Sequence, residues 1–412
     1  MHSFSVARLA AVVALACTMA ACGGGGDDKA ADENDAPVGQ PTLPEQPTQP
    51  QQPTQPEQPD TGVFKGATSL GTVTTSELRE AIAEKDSRVT GLQPLYAVTS
   101  YRIEYSTIGA QGQPVLASGL VSVPVKAAGG KSPVLSYQHG TIFRDAEAPS
   151  NNAVASEVAV VMASLGFIVV APDYVGYGAS KGTPHPYLQA TPTAAAVVDF
   201  LTAAQTWRQA QGVADNGQLF LTGYSEGGYV TMAAHRALQA GNSPHLQQLQ
   251  TVVTGAGPYD VQATMDGLVR VVRDENKLIG ALINPGVLRY LGSDVRNKLR
   301  KLMLTQLLPE DADVEIDVAF IDRFLADDEQ AIARDSSVHD WKPEVPLFLY
   351  HGLDDRTVPY ASSVSALNAM QARGAPAVSL TSCPATPSSH IGCVPPFLNF
   401  MLGKVVPLAR DL

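Results

Sequence analysis

The chain has 412 residues, 44% of them hydrophobic and 17% charged, which is enough apolar material for one large core and an accessory part. Its formal net charge of −12 excludes the basic footprint of a nucleic-acid binder and argues against a strongly anionic substrate.

Residues 1–21 read as an export signal. Arg8 supplies a positive flank, and 9–16 form an apolar run too short to span a membrane permanently. Met19-Ala20-Ala21-Cys22 then sets small residues before a cysteine, which resembles a bacterial lipobox; Cys22 would become the acylated N-terminus. A plain secretory signal cut nearby is the alternative. Both readings put the protein outside the cytoplasm, in a bacterial cell envelope as an outer-membrane lipoprotein or, failing that, secreted or periplasmic. Residues 22–62 are rich in Pro, Gln, Thr, Gly and Asp and almost devoid of apolar side chains, so they are expected to form a disordered tether. Cys17 lies in the signal, which leaves Cys383 and Cys393; in an oxidising compartment these should pair and close a loop that contains His390.

The folded part is expected at 63–260 and 342–412, with an insertion at 261–341. Its first stretch, 63–91, is weakly patterned, with one short helix near 77–84. Segments 96–107 and 115–125 alternate as strands, and Gly109-Ala110-Gln111-Gly112 between them reads as a hairpin turn. Apolar strands then follow at 133–138, 167–171, 218–222, 249–254, 346–350 and 377–380. Helical patterns accompany them at 153–164, 193–210, 228–240, 362–372 and 396–406. Strands without polar alternation are covered on both faces. The fold class is therefore α/β, a mostly parallel sheet between two helical layers with an antiparallel hairpin at its edge. Between 261 and 341 the alternation stops. Helical patterns at 266–282, 293–308 and 318–334 and no strand predict a helical cap over the strand ends; an elaborated crossover on the sheet edge is the alternative.

Gly223-Tyr224-Ser225-Glu226-Gly227 lies between the 218–222 strand and the 228–240 helix. A serine pinned at such a turn, with a glycine two residues to either side, is a nucleophile elbow. A serine hydroxyl needs a base, and the base needs a buried carboxylate to orient it. On a sheet of this kind the chain order is serine, acid, histidine. His390, on the loop between the last strand and the last helix, is the one histidine after the acid candidates; His351 is the runner-up, read instead as a brace for the acid turn. The acid is Asp355 or its neighbour Asp354, both just past the 346–350 strand. Backbone N–H donors for an oxyanion are expected from Glu226, which follows the serine, and from Thr141 in Gln138-His139-Gly140-Thr141, where Gly140 allows close approach and His139 braces the loop.

These residues resemble the α/β-hydrolase superfamily. Within it they are similar to exported bacterial esterases related to the secretory lipases of the Candida antarctica lipase A type. The similarity runs through Gln138-His139-Gly140-Thr141, Ala171-Pro172-Asp173-Tyr174-Val175-Gly176-Tyr177-Gly178, His185-Pro186-Tyr187-Leu188, the elbow, Gly257-Pro258-Tyr259-Asp260 and a G-x-x-D-x-x-V-P turn that aligns on Asp355 rather than Asp354. The resemblance implies carboxylic-ester hydrolysis through an acyl-enzyme, a helical lid at the insertion, and no metal or cofactor. It also implies a structural part for Asp173 and Tyr174. The expected partner is a small or lipid-like ester met by a monomer that touches a membrane only through its N-terminal anchor. Apolar residues of the insertion, Leu268, Val271 and Val272 among them, suit an acyl or aromatic ester. Its acidic stretch (Glu310, Asp311, Asp313, Glu315, Asp317) keeps open an exported serine aminopeptidase that holds a peptide amino terminus there. A catalytically dead scaffold is the reading outside enzymes.

Overall fold

The computed structural model describes residues 60–84, 91–275 and 308–412, together with 293, 294, 297, 300 and 301. The signal at 1–21, Cys22, nearly all of the 22–62 tether and most of the 293–308 pattern lie outside these residues.

The strands in chain order are β1 (Phe64–Val73), β2 (Val98–Ile108), β3 (Pro114–Pro124), β4 (Ser132–Gln138), β5 (Ile168–Pro172) and β6 (His185–Pro186). They continue with β7 (Asp215–Tyr224), β8 (Leu249–Gly255), β9 (Ile316–Asp317), β10 (Leu347–His351) and β11 (Val378–Ser382). One sheet holds nine of them in the order β1-β2-β3-β5-β4-β7-β8-β10-β11. β1, β2, β3 and β5 meet antiparallel, and every pair from β5 to β11 is parallel. The predicted sheet, hairpin included, is the one observed, an α/β-hydrolase fold.

β1 was not legible. Its sequence FKGATSLGTV leaves most side chains exposed and buries none, so no period-two apolar signal arises. It forms because β2 offers a free edge, along which it pairs from Phe64 opposite Tyr105 to Val73 opposite Val98.

The parallel strands divide their apolar side chains between two layers. In β7, Leu219 and Leu221 join one cluster with Phe200, Trp207 and Val230, from the helices Ala190–Gln211 and Glu226–Ala240. Phe220 faces the other way, edge to face with Phe167, in the cluster that also holds Phe397 of the helix Val394–Val405. Burial of each such side chain stabilises the fold by about 1.5–3 kcal/mol.

Register decides where chemistry can happen. Gln138 lies opposite Gly223, Tyr224 opposite Gly255, and His351 opposite Ser382, so β4, β7, β8, β10 and β11 end along a single edge. The loops that leave those ends carry 139–141, Ser225, 256–260, 352–355 and 383–390, and in such a sheet ligands bind at that edge.

The insertion between β8 and β10 departs from expectation twice. It contains a strand after all, β9, which pairs in parallel with β6. The single helical pattern at 318–334 is two helices, Ala319–Leu325 and Glu329–Asp335. Asp327 takes a left-handed φ of 59°, and the Asp328 side chain caps the second helix through Ala331 N–H. Helical spacing carries straight across such a break, so periodicity does not reveal it. The predicted 153–164 helix is likewise shorter, Val158–Ala163.

Candidate active site

β7 ends at Tyr224, and Ser225 stands before the helix Glu226–Ala240 with φ 61° and ψ −127°. A β-carbon forces strain in that region of backbone space. The neighbours show why glycine flanks the serine. A Cβ on Gly223 would lie 2.2 Å from Gly227 O, and one on Gly227 would lie 2.0 Å from Gln138 O. The backbones of strand, turn and the loop that begins at Gln138 and His139 are thus in contact, and the Ser225 hydroxyl is pushed out toward the loops.

Two of those loops meet it. His390 Nε2 is 2.8 Å from Ser225 Oγ, and His390 Nδ1 is 2.6 Å from Asp355 Oδ2. Asp355 Oδ1 accepts from the N–H groups of Thr357 and Val358, both at 2.9 Å. His351 reaches the same carboxylate, with Nε2 3.2 Å from Oδ2 and 2.8 Å from Val358 O, while its Nδ1 lies 2.7 Å from Ser363 Oγ. Through these contacts His351 ties Asp355 and Val358 to Ser363 and braces the turn that carries the carboxylate. Burial pushes the Asp355 carboxyl up, but hydrogen bonds and charge from His351 and His390 outweigh it and hold the group at about 2. The carboxylate therefore stays ionised beside the His390 imidazole.

Asp354 does not face the imidazole. Its Oδ2 accepts from both N–H and Oγ of Ser388 at 2.9 Å, and its own N–H donates to Ser388 Oγ. It fastens the acid turn to the histidine loop. Cys383 and Cys393 form a disulfide around that loop, and Tyr224 Oη, next to the serine, donates to His390 O at 2.8 Å.

Gly140 lies against the elbow: a Cβ there would be 3.4 Å from Tyr224 O and 3.7 Å from Ser225 Cβ. Glu226 opens its helix, so its N–H lacks an intrahelical acceptor. The His139 ring hydrogen-bonds Gly140 O at 2.8 Å and stacks on Tyr174, and burial pushes its imidazole below the ordinary value. It braces the loop against the segment after β5. The tyrosines that follow β5 hold the same loop: Tyr174 Oη donates to His139 O, Tyr177 Oη to Ile142 O, and Tyr187 Oη lies 3.2 Å from Thr141 Oγ1. Asp173, fully buried, accepts from Ser118 Oγ, Ser150 N–H and Ser150 Oγ; burial pushes its carboxyl up against the opposing pull of those bonds. It ties β3 and the 149–151 turn under the site.

Two features have partners that sequence reasoning did not supply. Glu226 and His185 form a buried pair at 2.6 Å. The adjacency of Glu226 to the serine and the His185-Pro186-Tyr187-Leu188 motif were the available signals. The acidic stretch, second, is largely spoken for. Asp311 pairs with Arg144, Asp313 with Lys181 and with Asp145 N–H, and Asp317 accepts from Ala319 N–H. It binds the insertion to the loops beside the site. No cluster of metal-ligating side chains occurs among the described residues.

Known structures share this architecture. A provisionally named hydrolase of Legionella pneumophila superposes with TM-score 0.66 at 25% identity over 83% of this chain and 96% of its own. The rice cell wall degrading esterase LipA of Xanthomonas oryzae does so with TM-score 0.66 at 23% identity over 85% and 100%. Candida antarctica lipase A in its closed state gives TM-score 0.52 at 18% identity over 81% and 78%. No curated protein sequence matches the chain. The family model for X-Pro dipeptidyl-peptidase (S15 family) matches residues 112–392, a span that contains Ser225, Asp355 and His390. By that match the chain belongs to the S15 family of α/β-hydrolase-like enzymes and is a hydrolase.

Proposed function

We propose that the protein is a serine hydrolase of carboxylic esters that works through an acyl-enzyme. The observation that carries this reading is the hydrogen-bonded chain from Ser225 through His390 to Asp355, at 2.8 and 2.6 Å, on a strained elbow. In the first half-reaction Ser225 Oγ attacks the ester carbonyl while His390 Nε2 takes its proton and Asp355 stabilises the imidazolium. The N–H groups of Glu226 and Thr141 receive the oxyanion, and His390 returns the proton to the leaving alkoxide. Water repeats the sequence on the acyl-enzyme and frees the acid.

The family name favours a second reading, cleavage of X-Pro peptides. Such a substrate presents an ammonium group that needs free carboxylates. The engagement of Asp311 and Asp313 by Arg144 and Lys181 leaves the acidic stretch poorly suited to supply them, which favours the ester. Turnover of p-nitrophenyl butyrate set against Ala-Pro-p-nitroanilide decides. The ester reading expects the first to be cleaved and the second not; cleavage of the anilide alone overturns it.

The insertion at 261–341 is read as a cap over the catalytic edge, resting on its joints to the 142–145 and 178–186 segments. The disulfide supports export. Cys22 remains the proposed acylation site, tested by the mass of the membrane-fraction protein: an unmodified N-terminus removes the anchor.

A further inference from the structure

Glu226 is asked above only for its N–H, yet its side chain is unusual. The carboxyl is 2% exposed, its Oε1 sits 2.6 Å from His185 Nε2, and its Oε2 is buried with no partner. The other nitrogen of His185, Nδ1, lies 2.8 Å from Val175 O. A carbonyl only accepts, so Nδ1 carries a hydrogen, and the Glu226–His185 contact holds a single shared proton. An acidic side chain enclosed in this way is costly. Neither the serine nor the other triad members use it.

The surroundings of His185 give the pair a task. Its backbone N–H donates to Glu315 O, beside the β6–β9 pairing that ties in the insertion. Its ring lies 6.0, 5.1 and 6.0 Å from the rings of Tyr174, Tyr177 and Tyr187. Those three tyrosines direct their hydroxyls to His139 O, Ile142 O and Thr141 Oγ1, the loop of the second proposed oxyanion donor. One imidazole therefore connects the residue after the nucleophile, the aromatic wall of the oxyanion loop and the insertion.

We propose that Glu226 and His185 are a positioning pair for the oxyanion hole. Their hydrogen bond fixes the side chain of residue 226, and with it the peptide whose N–H points to the oxyanion, relative to the Thr141 loop. The proposal rests on the serine-hydrolase reading. The peptide that carries the Glu226 N–H is held on its carbonyl side, where Ser225 O accepts from Tyr229 N–H at 3.2 Å, but the N–H itself has no acceptor in its own helix, and a helix's first turn is its most easily displaced part. Loosening it misaims a donor that matters in the transition state far more than in the bound ester.

The test is steady-state hydrolysis of p-nitrophenyl butyrate by E226Q, E226L, H185F and the E226L/H185F double variant, each first shown to be folded by circular dichroism. A Gln side chain keeps a donor for His185 Nε2, so E226Q should lose less kcat than E226L. E226L and H185F should each lose about 10–100-fold in kcat with KM little changed, since a misplacement of about 1 Å costs up to about 10²-fold. The double variant should be no worse than the poorer single one, because both remove one bond. Folded E226L with wild-type kcat, a loss confined to KM, E226Q as impaired as E226L, or losses that add in the double variant would each overturn the proposal. If E226L does not accumulate, E226A and H185F carry the same readings. A wild-type enzyme that cleaves no ester and takes no fluorophosphonate overturns the parent reading instead, and that outcome is distinct from any difference among the variants.

Discussion

Replacing Gly227 by alanine adds one methyl group, and its consequence can be worked from the elbow. In a helix, Gly to Ala by itself stabilises by about 0.5–1 kcal/mol. Here the new Cβ would stand 2.0 Å from Gln138 O and 2.7 Å from His139 O. Both are backbone atoms, and Gln138 is the last residue of β4, hydrogen-bonded in register opposite Gly223. To reach even 3.0 Å, the lower limit for real Cβ contacts, the Gln138 carbonyl must retreat by about 1 Å from its 2.0 Å position. Overpacking of this kind costs about 1–3 kcal/mol, which exceeds the helix gain. The carbonyl that must move leads directly into His139, Gly140 and Thr141. A displacement of about 1 Å there should cost about 10² in turnover. G227A is therefore expected to unfold at a lower temperature by circular dichroism and to lose about a hundredfold in kcat on p-nitrophenyl butyrate well below that temperature. A variant with both properties at wild-type values would show that elbow and oxyanion loop are not in contact, and the reasoning would fail.

Three further outcomes follow from the site. D355N should lose about 10⁴-fold in kcat, as removal of the orienting carboxylate does in such triads, whereas D354N should lose far less, since Asp354 only joins its turn to Ser388; the reverse order in a kinetic assay would move the acid by one residue. Asp355 is held at about 2, below its ordinary 3.8, so its contribution to stability is complete above about pH 4 and is lost as pH falls toward 2. A pH profile of kcat/KM should therefore show no limb from Asp355 above about pH 3; a limb between pH 4 and 5 that disappears in D355N would contradict this. Reduction of Cys383–Cys393 frees the loop that carries His390, so kcat should fall with dithiothreitol and return on reoxidation, read beside a free-thiol titration. Unchanged turnover in fully reduced protein would show that Tyr224 and Asp354 hold the loop without the disulfide.

What was legible in the sequence shares a physical cause. The buried strands are continuous apolar runs because both of their faces are covered, and the elbow is marked by glycines because backbones touch there. Of the three side chains that converge, the elbow and chain order point to Ser225 and His390, and the resemblance alone separates Asp355 from Asp354. The illegible parts depend on partners far along the chain. β1 exists only because β2 has a free edge, β9 only because β6 faces it, and neither has a pattern of its own. The acidic stretch reads as a charge run; that Lys181 and Arg144 meet it is a matter of tertiary structure. Glu226 and His185 are 41 residues apart, and no local spacing joins them.

The central claim is that the hydroxyl at Ser225 is the nucleophile of an acyl transfer. Incubation of the purified protein with a fluorophosphonate, followed by intact mass and peptide mapping, tests it most directly. The account predicts one adduct per chain, on the peptide that contains Ser225, formed much more slowly in D355N and absent in S225A. An unlabelled wild-type protein, or an adduct mapped to another residue and still present in S225A, would contradict it.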